Sequence, residues 1–275
     1  MTKIALYQSR TGIDPAANGD ALVAAIQEAS AGGAQMLFTP EMSGLLDRQV
    51  ERAALNAREE ADDLVLQRCR EAAKEHGIWV HLGSLAIRGG GEKLVNRAFV
   101  IDKGGSIRSR YDKIHLFDVD LPTGESWRES NTYRAGERAV VVRETPVGVL
   151  GLSICYDLRF PALFAELSES GAQVIAVPAA FTVPTGRAHW EVLLRARAIE
   201  AGLFIVAAAQ CGEHEDGRAT YGHSMVVDPW GSVALDMGEG VGIGFAEIDL
   251  TKIEDVRGRV PALSHRKPIA SSIAP

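Results

Sequence analysis

The segment Leu152-Ser-Ile-Cys155-Tyr-Asp-Leu-Arg-Phe-Pro161 places a cysteine where an apolar β-run stops and a helical pattern begins. Pro161 fits the first turn of such a helix, where a missing N–H costs nothing. A nucleophile on a strand-to-helix elbow stands at a sheet edge and faces backbone N–H groups. Those groups, with the positive end of the helix, favour a thiolate and can hold a developing oxyanion. Cys155 also admits a plainer reading as a small buried hydrophobe, the commonest fate of a free cysteine. Cys69, on an apolar helical stripe, and Cys211, just past an apolar strand, take that plainer reading more readily.

A thiol nucleophile needs a proton acceptor. Histidine is the usual partner, and His115, His189 and His223 are all available. A buried carboxylate does the same work, because desolvation raises its pKa towards neutrality. Glu41 follows the apolar run Met36-Leu-Phe-Thr-Pro40, which puts it at the C-terminal end of a buried strand, where ligand sites of α/β sheets gather. Its alternative is an exposed loop carboxylate. Lys113, within Tyr111-Asp-Lys-Ile-His-Leu-Phe-Asp118, ends another strand. Beside a thiol it would lower the thiol pKa and stabilise an oxyanion; otherwise its stem snorkels to solvent. A metal site built on His115, Asp118 and Asp120 lacks a second histidine at ligand spacing, so no metal is expected.

The elements that must position these residues alternate along the chain. Lys3–Ser9 reads as a strand, Asp14–Ala31 as an amphipathic helix, and Gln35–Pro40 as a short buried strand ending at Glu41. Glu59–His76 carries Val65, Cys69 and Ala72 on one helical face and stops at Gly77. Ile78–Ile87, Lys93–Asp102 and Ser106–Tyr111, separated by glycine-rich turns, form a meander of hairpins. The Gly89–Gly91 run lacks phosphate-loop spacing and reads as a turn. The second half repeats the alternation: strand Val147–Ile154, helix Asp157–Ser170, strand Gln173–Ala179, helix Ala188–Ala201. Strands near Leu203–Gln210, His223–Asp228, Ser232–Asp236 and Gly244–Ile248 follow. Such a pattern predicts sheets covered by helices, although no sequence repeat stands out.

Composition narrows the class of protein. The 275 residues, 46% hydrophobic and 24% charged, suffice for a large core, and no Pro/Gly/Ser-rich linker divides them, so one domain is expected. A net charge of −7 argues against nucleic acid or anionic membrane as the main partner. No apolar run reaches the roughly 18 residues of a membrane span, and Met1–Ser9 lacks the pattern of a signal peptide. Three cysteines without a C-x-x-C pair suit a reducing cytoplasm.

Thr39-Pro-Glu41, Tyr111-Asp-Lys-Ile-His115 and Ser153-Ile-Cys-Tyr-Asp-Leu-Arg-Phe-Pro161, in this order, resemble the Glu-Lys-Cys signature of the nitrilase superfamily of carbon–nitrogen hydrolases. Ala188-His-Trp-Glu-Val-Leu-Leu-Arg-Ala-Arg-Ala-Ile-Glu200 and Tyr221-Gly-His-Ser-Met-Val-Val-Asp-Pro-Trp-Gly231 extend the resemblance along essentially the whole chain. They point to the branch that contains deaminated-glutathione amidase and omega-amidase. The resemblance implies a four-layer α-β-β-α sandwich of two six-stranded mixed sheets spanning residues 1–275, and no cofactor. It also implies a homodimer or larger homo-oligomer, to which a tail from about residue 258 would contribute. Glu41 would act as the base and Cys155 as the nucleophile forming a thioester. Lys113 and the backbone N–H of Tyr156 would hold the oxyanion.

The superfamily has a second glutamate before a serine, and Glu125-Ser126 and Glu129-Ser130 compete for that role. The distance from the lysine and the preceding Leu121-Pro-Thr loop favour Glu129, leaving Glu125 as a solvated loop residue. Arg159 is the candidate for bidentate pairing with a substrate carboxylate, against the alternative of a structural pair with a neighbouring acid. Phe181, Thr182 and Thr185 would line the same pocket, while Trp190, Arg195 and Arg197 read as packing or surface. The expected substrate is a 2-oxo-glutaramyl amide, with deaminated glutathione ahead of the small 2-oxoglutaramate of an omega-amidase. A catalytically silent scaffold of the same fold is disfavoured by the presence of all three signature residues.

Overall fold

The computed structural model describes residues 1–120, 124 and 126–269. Two mixed sheets pack face to face. The first runs, in spatial order, Gly242–Ile248, Thr2–Gln8, Met36–Phe38, Trp79–Arg88, Leu94–Ile101 and Ile107–Asp112. The second runs Val140–Thr145, Gly148–Leu152, Val174–Ala176, Phe204–Ala207, Met225–Val227 and Val233–Asp236. These are the two six-stranded sheets of the expected sandwich, with one addition. Trp79–Arg88 outruns its neighbour Met36–Phe38, which reaches only His81, and the two-residue strand Arg58–Glu59 covers part of the remaining edge at Ile87 and Arg88.

Side-chain alternation explains the layers. Ile4, Leu6, Met36 and Phe38 face inward and share a core with Leu150, Leu152 and Val174 of the second sheet. Their neighbours Ala5 and Leu37 face outward and pack with Leu22, Ile26, Cys69 and Ala72. The latter belong to helices α1 (Pro15–Ala31) and α3 (Leu64–His76); a short α2 (Val50–Asn56) lies between them. Over the second sheet lie α4 (Pro161–Glu169) and α5 (Val183–Ala201), and α6 (Thr251–Arg259) follows the last strand.

Several element boundaries differ from the sequence reading, each for a local reason. The helix predicted over Glu59–His76 begins at Leu64, because the Asp63 carboxylate caps it by accepting from Leu66 N–H. The predicted Ala188–Ala201 helix starts five residues earlier, with Thr182 as N-cap and Pro184 in its first turn. The strand expected near Leu203–Gln210 is shorter, Phe204–Ala207, and beyond it Cys211–Glu213 pairs with Ala219–Tyr221 outside the main sheet. Nor does a helix span Asp157–Ser170. Cys155–Arg159 is a 3₁₀ turn, and Phe160, held extended at φ −111° and ψ 92° before Pro161, separates it from α4.

The loops after the central parallel strands meet where the two sheets touch. At Gly83 a Cβ would lie 2.0 Å from Thr39 O, 2.4 Å from Pro40 O and 2.6 Å from Pro178 Cβ. Only glycine lets the strand pass beneath both loops. Gly83→Ala should therefore destabilise the fold by about 3 kcal/mol, read as a fall in thermal midpoint of roughly 6–12 °C. Turnover should fall with it, because Pro40 carries Glu41. An unchanged melting curve would show that this crossing has slack.

Candidate active site

Cys155 is set by the second sheet. Ser153 N–H and Oγ donate to Ala176 O at 3.2 and 2.8 Å, and Cys155 N–H donates to Pro178 O at 2.8 Å. The chain then turns sharply, with Cys155 in the left-handed region at φ 50°, a strained conformation for a residue with a side chain. Asp157, fully buried, fixes the turn. Its carboxylate accepts from Ile154 N–H at 2.8 Å, Tyr111 Oη at 2.7 Å, and His115 N–H and Nδ1 at 3.1 and 2.7 Å. One side chain thus ties the cysteine elbow to the segment that carries Lys113. Burial, then the Asp157 charge, pushes the Tyr111 hydroxyl well above its usual range, so it remains a donor.

Glu41, Lys113 and Glu129 converge around one buried ammonium. Lys113 Nζ donates to Glu41 Oε1 and Glu129 Oε2, both at 2.8 Å. Asn96 Nδ2 bridges the same carboxylates, at 3.0 Å from Glu41 Oε1 and 3.1 Å from Glu129 Oε1. Glu41 Oε2 accepts from Ala180 N–H at 3.0 Å, and Glu129 Oε2 from Phe117 N–H at 2.7 Å. Lys113 and Glu41 are only 2% and 5% exposed, so the snorkelling and exposed-loop alternatives do not apply. Desolvation works against the Lys113 charge, but Glu129, Glu41 and Cys155 outweigh it and hold its pKa well above the ordinary value.

The thiol is held in the opposite sense from the thiolate suggested by a helix terminus. Burial first, then the Glu41 charge, pushes the Cys155 pKa well up; Lys113 offsets this only in part. Two carboxylates face one ammonium here, so a further negative charge is disfavoured. The resting group is a neutral thiol under the influence of the Glu41 carboxylate. The five-residue 3₁₀ turn after it has no long helix dipole to offer.

A cavity of about 390 Å³ opens over this cluster, and Tyr156, Arg159, Phe181, Thr182 and Thr185 line it. The Arg159 guanidinium lies 5.9 Å from the Tyr156 ring centroid and 5.4 Å from that of Phe181. Its one hydrogen bond among the described residues is with His189 Nδ1 at 3.3 Å, so no acid in that part of the chain claims it. Tyr156 N–H lies in the first turn after the cysteine, where a helix leaves donors unpaired. Thr182 and Thr185 bond to each other at 2.8 Å.

The remaining candidates lie elsewhere. His115 is bound by Asp157 and stacked on Phe160 at 3.6 Å, and His223 pairs with Asp236 at 3.0 Å. Asp118 accepts from Ser130 N–H, and Asp120 pairs with Arg128. Cys69 is fully buried, which pushes its thiol up to about 12, and Cys211 is buried as well. Trp190 is buried against Phe181, Arg197 pairs with Glu200, and Arg195 with Glu191. Glu125 and Leu121-Pro-Thr fall outside the described residues. Sequence reading missed Asn96, Asp157 and Ala180. A signal existed for Asn96, an amide beside Arg97 within the otherwise apolar run Leu94–Ile101; a backbone N–H such as that of Ala180 leaves none.

A thiol, a carboxylate and an ammonium gathered at the floor of a cavity between two sheets are the parts of a thiol hydrolase. Residues 3–258 match the carbon-nitrogen hydrolase family, and the chain belongs to it. It is 42% identical over 247 residues to deaminated glutathione amidase of Rattus norvegicus, covering 88% of this chain and 75% of the rat protein. The deaminated glutathione amidase of Yersinia enterocolitica is 41% identical, covering 88% and 85%. Among solved structures, the C. elegans NitFhit protein superposes with a TM-score of 0.88 at 40% identity. The match covers 97% of this chain and 65% of that longer one. An amidase from Nesterenkonia sp. AN1, solved after Michael addition of acrylamide at its active-site cysteine, gives 0.79 at 28% identity, covering 95% and 98%. The fold is that of the nitrilase-superfamily sandwich, and the protein is a hydrolase acting on amides.

The electrostatics give a test. Glu41→Gln removes the charge that most opposes ionisation of Cys155 after burial itself. The pH at which thiolate absorbance appears should then move down, towards the ordinary thiol value. A midpoint that stays put or rises would mean that Glu41 does not control this thiol.

Proposed function

We propose that this protein hydrolyses the amide of a 2-oxo-glutaramyl substrate, deaminated glutathione above all, through a thioester on Cys155. The observation that carries the mechanism is the buried Glu41 carboxylate, held by Lys113 and Ala180 N–H at the floor of the cavity that Cys155 also lines. Glu41 takes the thiol proton as sulfur attacks the amide carbonyl carbon, and Lys113 with Tyr156 N–H receives the oxyanion. Collapse of the tetrahedral adduct breaks the carbon–nitrogen bond as Glu41 returns the proton to the departing amine. Water then attacks the thioester, giving its proton to Glu41. The carboxylic acid leaves, and the proton returns to sulfur. Glu129 orients Lys113 from the far side. No cofactor is needed for any of these steps.

The choice of substrate rests on the names of the relatives and on Arg159, a guanidinium in the cavity without a carboxylate partner among the described residues. A five-carbon 2-oxo acid brings the carboxylate that Arg159 would hold as a fork, while Phe181, Thr182 and Thr185 would border its chain. We place the protein in the cytoplasm as a homodimer, the chain forming a single domain whose tail from about residue 258 joins the partner. Three buried, unpaired cysteines support a reducing compartment. Among the described residues no helix is long and apolar enough to cross a membrane.

Mass spectrometry of the protein mixed with deaminated glutathione should trap a 2-oxoglutaryl adduct on Cys155 and on neither Cys69 nor Cys211. An adduct elsewhere, or none with full turnover, would overturn the thioester. The value of kcat/KM should favour deaminated glutathione over 2-oxoglutaramate, because binding energy from the larger leaving group assists acylation; the reverse order would make the protein an omega-amidase. Arg159→Lys should lower kcat/KM for both by roughly thirtyfold, about 2 kcal/mol, through loss of the bidentate contact. Unchanged rates would place the carboxylate elsewhere.

A further inference from the structure

The cavity has a second cationic pole that the steps above leave unused. Arg218 and Arg48 both lie over the ring of Trp127, their guanidinium carbons 5.0 and 5.3 Å from its centroid, and all three residues line the cavity. Arg218 spends Nε on the buried carboxylate of Asp216 at 2.7 Å, and among the described residues its terminal nitrogens donate to nothing. Arg48 gives only its backbone N–H to Asp216, at 2.8 Å, and its side chain pairs with no carboxylate among those residues. The nearby Asp47 is taken by Arg52. Two guanidinium groups held against one indole, neither with a carboxylate on its terminal nitrogens among the described residues, make this part of the cavity wall suited to an anion.

The position of this pole relative to the thiol is defined by a row of rings. Trp127 and Phe117 have centroids 6.4 Å apart, and Phe117 and Tyr156 5.2 Å apart. Tyr156 follows Cys155 and carries Arg159 over its ring. Arg159 therefore stands at one end of the row and Arg48 with Arg218 at the other. Tyr133 lines the same cavity as both groups.

We propose that Arg48 and Arg218 form a subsite for a carboxylate carried at the far end of the amine leaving group, so that the enzyme grips an amide with an anion on each side of the scissile bond. This deepens the substrate reading above and rests on it for the acyl side at Arg159. Because the two arginines sit on separate loops held together by Asp216, the subsite selects for length as well as charge. A leaving group of dipeptide size reaches it; ammonia does not.

The test uses the full-length protein and three amides that share a 2-oxoglutaryl group, with cysteinylglycine, cysteinylglycinamide or ammonia as leaving group. Wild-type kcat/KM should be roughly tenfold higher for the free carboxylate than for the carboxamide, and the ratio should shrink as salt is raised. Arg48→Gln should reduce the ratio severalfold, and Arg218→Gln should bring it close to one. Arg48 has no side-chain hydrogen bond to lose among the described residues, so its variant remains readable even if Arg218→Gln loosens its hairpin. A wild-type ratio of one, or a ratio untouched in both variants, overturns the subsite. If the ammonia-releasing amide is the best substrate but the carboxylate still outruns the carboxamide, the subsite stands and deaminated glutathione does not. If deaminated glutathione and its carboxamide are equally good and both exceed the small amide, the substrate stands and the subsite falls.

Discussion

A lysine ammonium sealed between two sheets governs this structure. Desolvating such a charge costs several kcal/mol, and the loss is offset only when close, well-oriented partners surround it. Lys113 obtains two carboxylates at 2.8 Å, and these in turn need Asn96, Ala180 N–H and Phe117 N–H to fill their remaining lone pairs. The partners come from five separate stretches of chain, so the cluster exists only when both sheets have docked. Its formation and the closure of the cavity floor are one event.

The two sheets have the same internal design. From one edge, each pairs antiparallel, then parallel twice, then antiparallel twice. After the middle parallel strand of each, the chain continues into a proline loop: Thr39-Pro40 leads to Glu41, and Val177-Pro178 leads to Ala180. Those loops meet at Gly83, which brings the carboxylate of one half against the amide N–H of the other. Placing the reactive groups on these loop ends exploits the rigidity of the strands while leaving the groups facing the cavity. Asp157 performs the matching task on the other side, joining the cysteine elbow to Tyr111 and His115.

This electrostatic balance shapes the chemistry. A free thiolate would add a third negative charge beside Glu41 and Glu129, with one ammonium to oppose them, and burial makes it costlier still. In the mechanism proposed for this site, proton removal would be coupled to attack on a carbonyl, whose developing oxyanion would take up the Lys113 field. Fixed donors supply the stabilisation at the moment charge moves, without waiting for solvent to reorganise.

The sequence by itself determined sheets covered by helices, the short buried strands that end at Glu41 and Cys155, and the order of the signature residues; the sandwich followed from the family those residues resemble. The strands and elbow were legible because period-two alternation, apolar runs and elbow spacing are local properties of the chain. Local chemistry also hid some boundaries. The Asp157–Ser170 pattern reads as one helix, yet Pro161 forces Phe160 extended and leaves a 3₁₀ turn after the cysteine. Tertiary structure alone decided which partner the thiol has. Three histidines and a glutamate were available in sequence, and only docking of the sheets brought Glu41 to Cys155 and sent His115 to Asp157. It likewise decided that Asn96 bridges two carboxylates and that Arg48 and Arg218 share one indole ring. Partners 12 to 139 residues apart in the ammonium cluster leave no periodic trace. Their meeting is set by strand order and sheet packing, which a one-dimensional pattern does not encode.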